Sequence, residues 1–146
     1  HAVLGLTVLL ITHGMDVVDS ICHSPALVEH GRDVESGRLT DVIRTPESRL
    51  TSQLFPLGPI PQSADPTATV IDITFAGGSA DRPVIARVAR DHDVDVSLLG
   101  ALVEQIGGTQ AGRTRLEVPA TAAAAVIADL RGQGLLVEVL QGEDAR

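Results

Sequence analysis

A proline-rich stretch at residues 56–66 divides this chain into two parts and limits what each part can fold into. The stretch, PLGPIPQSADP, holds four prolines. Each proline lacks a backbone N–H and restricts the residue before it, so the stretch can continue neither a helix nor a central strand. We therefore predict an exposed, semi-extended linker at 56–66, with a front segment at 1–55 and a back unit at 67–146.

Charge and composition exclude several classes of function. The chain has 19 acidic and 11 basic residues and a net charge of -8, which disfavours binding to nucleic acid or to an anionic membrane surface. All of the basic residues are arginine, so no lysine is present for a phosphate-binding loop of the GxxxxGKST kind. The single cysteine, Cys22, allows no intramolecular disulfide, and the histidines follow no metal-ligand spacing. We predict no metal site.

The front segment starts with the pattern of a buried strand that ends at a polar step. Val8 to Ile11 form a continuous apolar run, which is typical of a strand buried on both faces of a mainly parallel sheet. Thr12 and His13 follow, and a short amphipathic helix is predicted over 16–21. His13 would therefore lie in the crevice at the carboxyl end of a strand, where open α/β sheets bind ligands.

The remainder of the front segment predicts a hairpin at 26–37, a helical turn at 40–43 and a helix over 47–55. This order of strand, Thr-His, helix, hairpin and short helix resembles the closing section of an ABC-transporter ATPase domain. The resemblance implies that His13 contacts the γ-phosphate of ATP, and that the rest of such a domain binds ATP and Mg²⁺. We interpret 1–55 as a partial α/β ATPase segment and expect this chain alone to bind no cofactor and to hydrolyse no ATP.

The back unit alternates strand and helix patterns in the order βαββαβ. We predict strands around 71–75, 94–106, 114–118 and 135–140, with an irregularity at Gly100, and helices around 83–91 and 121–132, the second capped by Thr121. Two helices separated by a hairpin define the ferredoxin-like α+β fold, in which both helices cover one face of a four-stranded antiparallel sheet with spatial order 4-1-3-2. The other face, which carries Val70, Asp72 and Thr74, requires a cover.

The back unit also resembles a known family through three segments, ITFAGGSADRPVIARVARDHDVDVSLLGA, VEQIGGTQAGRTRLEVPA and DLRGQGLLVEVL. They resemble the NIL domain, an ACT-like regulatory domain at the carboxyl end of methionine-importer ABC ATPases. The Asn-Ile-Leu sequence that names the domain stands here as Ser97-Leu98-Leu99. The resemblance implies a homodimer, a permease partner, a place at the cytoplasmic face of the membrane, and methionine as a regulatory ligand. The residues expected to bind it are Gly77, Gly78, Ser79, Asp81, Ser97, Leu98 and Leu99.

The sequence therefore predicts the carboxyl-terminal part of the ATP-binding subunit of a methionine-import ABC transporter, with a NIL domain that senses methionine and regulates transport. A stand-alone ACT-like amino-acid-binding or dimerisation module stays open, and it would make the front segment a relic. A small enzyme is a third possibility, although no Ser/His/Asp, Cys/His or paired-carboxylate set emerges from the spacing. We further expect 67–146 to fold alone and 1–55, which lacks its sheet neighbours, not to fold.

Overall fold

The computed structural model describes residues 7–11, 23–60, 65, 67–77, 83–106 and 109–140. In the front segment these residues form strand β1 (Ala26–Glu29), strand β2 (Arg32–Ser36), helix α1 (Leu39–Ile43) and helix α2 (Arg49–Leu54). The strands pair as an antiparallel hairpin, with positive φ angles at His30 and Gly31 in its turn. The hairpin and both helical stretches of the sequence prediction are confirmed.

The apolar run from Val8 to Ile11 does not form the strand that its sequence predicts. Residues 7–11 have no regular secondary structure, and the side chains of Leu9 and Ile11 are 91% and 90% exposed. A buried strand depends on neighbours that accept and donate its backbone hydrogen bonds. Within the described ranges no strand pairs with this run, and the prediction of a strand is wrong for this chain.

The back unit consists of β3 (Ala68–Ala76), α3 (Val84–His92), β4 (Ser97–Ile106), β5 (Thr109–Pro119), α4 (Ala120–Gly132) and β6 (Leu136–Leu140). Four of the described strands form one antiparallel sheet in the order β4-β5-β3-β6. Numbered within the back unit and read from the β6 edge, this is the predicted order 4-1-3-2. The ferredoxin-like α+β arrangement is therefore confirmed.

Several boundaries differ from the sequence prediction: β3 begins at Ala68 instead of residue 71, and β4 begins at Ser97 instead of residue 94. Strand β5 begins at Thr109 instead of Thr114, because its ladder with β4 extends to the pair Ile106 and Thr109. Helix α4 follows Pro119 directly and has no side-chain cap, so the predicted capping role of Thr121 is wrong. The backbone N–H of Ala120 instead donates to the carbonyl of Thr67 at 2.8 Å, which satisfies one of the free donors at the start of the helix.

One hydrophobic core lies between the sheet and helices α3 and α4. In α4 the buried residues are Ala123, Val126 and Leu130, at spacings that place them on one face of a helix. They pack against strand residues that alternate along β3 and β5. The helix-side core consists of Ile71, Ile73, Val88, Leu116, Val118, Ala123, Val126, Leu130, Leu135 and Val137.

The opposite face of the sheet is covered by the front segment. Phe55 is fully buried there, and Leu102 of β4 and Ala76 of β3 pack against the same cluster. The front-side core consists of Leu39, Val42, Ile43, Leu50, Leu54, Phe55 and Ala111. The sequence correctly indicated that this face requires a cover. It did not indicate that the cover comes from the same chain, and the expectation that the front segment does not fold is wrong for α1 and α2.

Gly112 of β5 is the tightest glycine position in the sheet. It pairs with Phe75, and a Cβ atom placed on it would lie 2.5 Å from the carbonyl oxygen of Leu102 and 2.8 Å from Cζ of Phe75. Because the first of these is backbone, relief would require a shift of the strand. We expect Gly112→Ala to lower the free energy of unfolding by about 1–3 kcal/mol in urea denaturation.

Gly132, at the end of α4, provides a matched control for this substitution. A Cβ atom there would meet nothing within 4 Å outside its own helix, and its φ angle is not in the left-handed region. Gly132→Ala should leave stability unchanged or raise it by up to about 1 kcal/mol. Equal losses in the two variants would show that contact at Gly112 is not the cause.

Candidate functional site

The structure describes four of the residues expected to form the ligand site. These are Gly77 at the end of β3 and Ser97, Leu98 and Leu99 at the start of β4. The other expected ligand-site residues, Gly78, Ser79 and Asp81, lie outside the described residues, as does His13, which was expected to contact the γ-phosphate of ATP. The geometry of the site is therefore built from Gly77 and the beginning of β4.

The beginning of β4 contains a β-bulge at Leu99. Leu98 pairs with Leu116 and Gly100 pairs with Arg115, so Leu99 has no partner of its own in the ladder with β5. This confirms the irregularity predicted at Gly100. An extra residue bends a strand and changes the direction of its side chains, and bulges are common beside binding sites for that reason. The Ser97-Leu98-Leu99 segment therefore has an irregular, specifically shaped backbone.

Strand β4 is also an edge of the sheet, since within the described residues it pairs only with β5. Leu98, Ala101 and Val103 lie opposite Leu116, Thr114 and Gly112, which places them on the helix-covered face, yet all three are exposed. Leu98 is 55% exposed. Residues Leu98, Ala101 and Val103 together are called the β4 edge surface below. This surface extends the helix-side core beyond the area that the helices cover.

The structure separates Gly77 from Ser97 within one chain. Ser97 is level with Glu117 of β5, whereas Ala76, just before Gly77, is level with Ala111. The six steps from 111 to 117 along β5, at about 3.4 Å each, place the two positions roughly 20 Å apart along the sheet. A single copy therefore does not bring the two halves of the expected ligand site together.

A cleft lies beside Gly77, between helix α1 and the end of β3. Its volume is about 310 Å³, near the lower limit for small-molecule pockets. Arg44 and Thr74 are the polar residues of its lining. The cleft is lined by Ile43, Arg44, Thr74, Phe75, Ala76, Gly134 and Leu136.

Sequence reasoning missed a buried network of charged side chains on the front-side face of the sheet. Asp72, whose side chain is fully buried, accepts hydrogen bonds from Nε and Nη2 of Arg115 at 2.7 and 2.9 Å. Arg113 Nη2 lies 3.1 Å from Asp72 and 2.9 Å from Glu138. The hydrogen bonds to Asp72 raise the pKa of Arg115 above its usual value, although burial acts against this. These four residues are called the polar network below.

The sequence did contain a signal for the polar network. Arg113 and Arg115 are two residues apart on β5 and therefore share a face. Asp72 lies on the face of β3 that the sequence had left without a cover, and it pairs with Arg115 and Glu138 on the neighbouring strands. Opposite charges at facing positions of adjacent strands indicate an ion-pair cluster once the strand order is known.

Two further observations concern metal ions and membranes. In the described ranges, no group of three His, Cys, Asp or Glu residues is placed to hold a metal ion. No helix among the same residues is long and apolar enough to cross a membrane.

Residues 69–139 match the NIL domain family, so the βαββαβ unit is a NIL domain, as its sequence predicts. The chain is 49% identical over 142 residues to the methionine import ATP-binding protein MetN of Streptomyces griseus, and 48% identical over 139 residues to that of Streptomyces coelicolor. These alignments cover 96% and 94% of this chain. The chain is therefore homologous to methionine import ATP-binding proteins.

The chain spans 39% of the length of each of these two relatives and aligns with their carboxyl-terminal part. Among solved structures, the C-terminal domain of an ABC transporter ATP-binding protein from Enterococcus faecalis overlaps with 53% of this chain and 89% of its own, with a TM-score of 0.46 and 22% identity.

Proposed function

We propose that this chain is the carboxyl-terminal part of the ATP-binding subunit of a methionine-import transporter, in which the NIL domain binds methionine and regulates transport. The observation that carries the proposal is the exposed β4 edge surface next to the bulge at Ser97-Leu98-Leu99. An unpaired edge with exposed apolar side chains is a surface on which a second copy can pair.

The second copy pairs along the edge of β4, because the front-side face of the sheet is already occupied by α1 and α2. In a two-fold dimer the two β4 strands run antiparallel, so that Ser97 of one copy faces the Ile106 end of the other. That end of β4 is level with the end of β3, where Gly77 lies. In the dimer, the Ser97-Leu98-Leu99 segment of one copy and Gly77 of the other therefore lie at the same position along the strand direction, whereas within one chain they are far apart.

The chemistry of this shared site suits an apolar amino acid. Helix α3 has no side-chain cap, and the free N–H groups of its first turn would receive the ligand's carboxylate, together with Gly77, Gly78, Ser79 and Asp81. Leu98 and Leu99 of the other copy would surround the thioether side chain. The Ser97 hydroxyl stands where relatives with Asn-Ile-Leu supply an amide.

Regulation follows if the ligand binds one dimer arrangement more tightly than another, because it then shifts the equilibrium between them. In the whole transporter, methionine would hold the ATPase parts apart at the cytoplasmic face of the membrane, beside the permease. ATP and Mg²⁺ would bind to the rest of the subunit, with His13 contacting the γ-phosphate. This chain alone would hydrolyse no ATP.

Titration calorimetry of the 146-residue chain with methionine and with alanine tests the proposal. We expect methionine to bind at least about tenfold more tightly, because its longer apolar side chain buries more surface. Leu98→Asp should abolish both binding and dimerisation, the latter measured by light scattering. Val139→Asp is the matched control, since Val139 is 44% exposed on β6 at the opposite edge of the sheet.

Two outcomes contradict the proposal. Equal affinity for the two amino acids would exclude a methionine sensor. A dimer that is disrupted by Leu98→Asp but releases no heat with either amino acid would support the second candidate, a dimerisation module without a ligand, which the same exposed β4 edge surface favours.

A further inference from the structure

The polar network contacts the front segment as well as the sheet. Arg115 Nη1 donates to the backbone carbonyls of Gly58 and Pro59 at 3.2 and 3.0 Å. Arg113 Nη1 donates to Oγ of Ser52 at 3.1 Å. On strand β6, Glu138 Oε1 accepts a hydrogen bond from the backbone N–H of Glu47 at 3.0 Å. Three of its four side chains therefore bind the sheet with one atom and the front segment with another.

The choice of arginine explains how one side chain makes both contacts. A guanidinium presents five N–H donors in a planar fork, so two of them can bind a carboxylate while another reaches a second acceptor. The network also balances its own charge, with two guanidiniums and two carboxylates. Removal of the front segment would leave the remaining donors without these protein acceptors.

We propose that the polar network is a clamp that fixes residues 47–59 to the sheet, so that the NIL domain and the end of the ATPase-type segment move as one body. Because of the clamp, the stretch from Pro56 to Pro59 is fixed to the sheet and does not act as a flexible linker. The clamp acts at two places: through the Glu47 N–H and the Ser52 hydroxyl, which it holds just before α2 and within it, and through the backbone carbonyls of Gly58 and Pro59 after α2.

The clamp also reaches the bulge of β4. Gly100, which follows the bulge, pairs with Arg115, and a Cβ atom on Gly100 would lie 3.7 Å from Cδ2 of Leu57. A change in the shape of the bulge would therefore displace Leu57 and the two carbonyls to which Arg115 donates. This gives the front segment a route by which it senses the Ser97-Leu98-Leu99 segment; only this step rests on the proposed function.

Hydrogen exchange of the full chain without any ligand tests the clamp. We expect the amides of α2 and of Phe55 to be protected in the original sequence. In the double variant Ser52→Ala/Glu138→Ala they should exchange at least about tenfold faster, while the amides of β3 and β5 keep their rates. This pair avoids Asp72, whose loss would leave two buried arginines uncompensated and threaten the whole fold.

Glu117→Ala is the matched control, because Glu117 lies on β5 on the same face as Arg113 and Arg115 but outside the hydrogen bonds of the network. It should leave the exchange of α2 unchanged. The clamp is refuted if α2 is unprotected in the original sequence, or if the double variant exchanges at the original rate. Acceleration spread equally over α2 and the whole sheet would also refute it, since that indicates only a general loss of stability.

A second measurement, with methionine added, separates the clamp from the proposed function. If methionine binds at β4, we expect the protection of α2 to change in the original sequence and to change less in the double variant. If methionine does not bind, the proposed function fails, whereas the result without ligand still decides whether the clamp exists.

Discussion

Asp72→Ala should lower the free energy of unfolding by about 3–5 kcal/mol, because it removes one partner from a buried set of charges. The Asp72 carboxylate is fully buried and lies within 3.1 Å of both Arg113 and Arg115. Without it, two guanidiniums that are nearly inaccessible to water remain, and the other carboxylate of the network, Glu138, bonds to that of Arg113. Urea denaturation followed by circular dichroism measures the loss.

Asp91→Ala is the control for this experiment. Asp91 also lies near two arginines, Arg87 and Arg90, but at 3.8 and 3.7 Å and with 45% of its side chain exposed. Exposed pairs of this kind contribute up to about 1 kcal/mol. If Asp72→Ala cost no more than Asp91→Ala, the buried network would not contribute to folding.

Phe55→Ala should lower the free energy of unfolding by a similar amount, about 3–5 kcal/mol. The Phe55 ring is completely buried in the front-side core, between α2 and the sheet. Its removal leaves a cavity where the front segment meets the NIL domain. The same denaturation measurement applies, and a single transition is expected, because both cores share the sheet.

Ile60→Ala serves as the comparison, since Ile60 is an apolar residue of the same region that is 38% exposed. It should change stability by less than about 0.5 kcal/mol. A Phe55→Ala variant as stable as Ile60→Ala would mean that the front segment does not pack on the sheet in solution.

The fold of the back unit could be predicted because its signals are local. Ile71, Ile73 and Phe75 alternate with polar residues, as a strand with one buried face requires. Once the order βαββαβ was recognised, right-handed crossovers left one arrangement of the sheet, and the structure has it. The irregularity at Gly100 was visible for the same reason, as a break in the alternation.

The packing of the front segment could not be predicted, because it depends on contacts distant in sequence. Leu50, Leu54 and Phe55 show that α2 has an apolar face, but an apolar face does not specify the surface that it contacts. The expected ligand site shows the same limit. Gly77 and Ser97 each lie at a recognisable turn or strand start, and only the register of β3, β5 and β4 reveals that they are at opposite ends of the sheet.

The cover over the front-side face has a consequence for where this protein can be divided. The similarity to the NIL domain family begins at residue 69, whereas the buried apolar surface continues back to Leu39. A chain shortened to start at Thr67 would expose Ala111 and Leu102 to water and leave the arginines of β5 without Ser52, Gly58 and Pro59. The NIL domain, as defined by sequence similarity, therefore begins later in the chain than the unit that folds cooperatively. Transplanting the NIL domain to another protein would require the earlier boundary, ahead of α1.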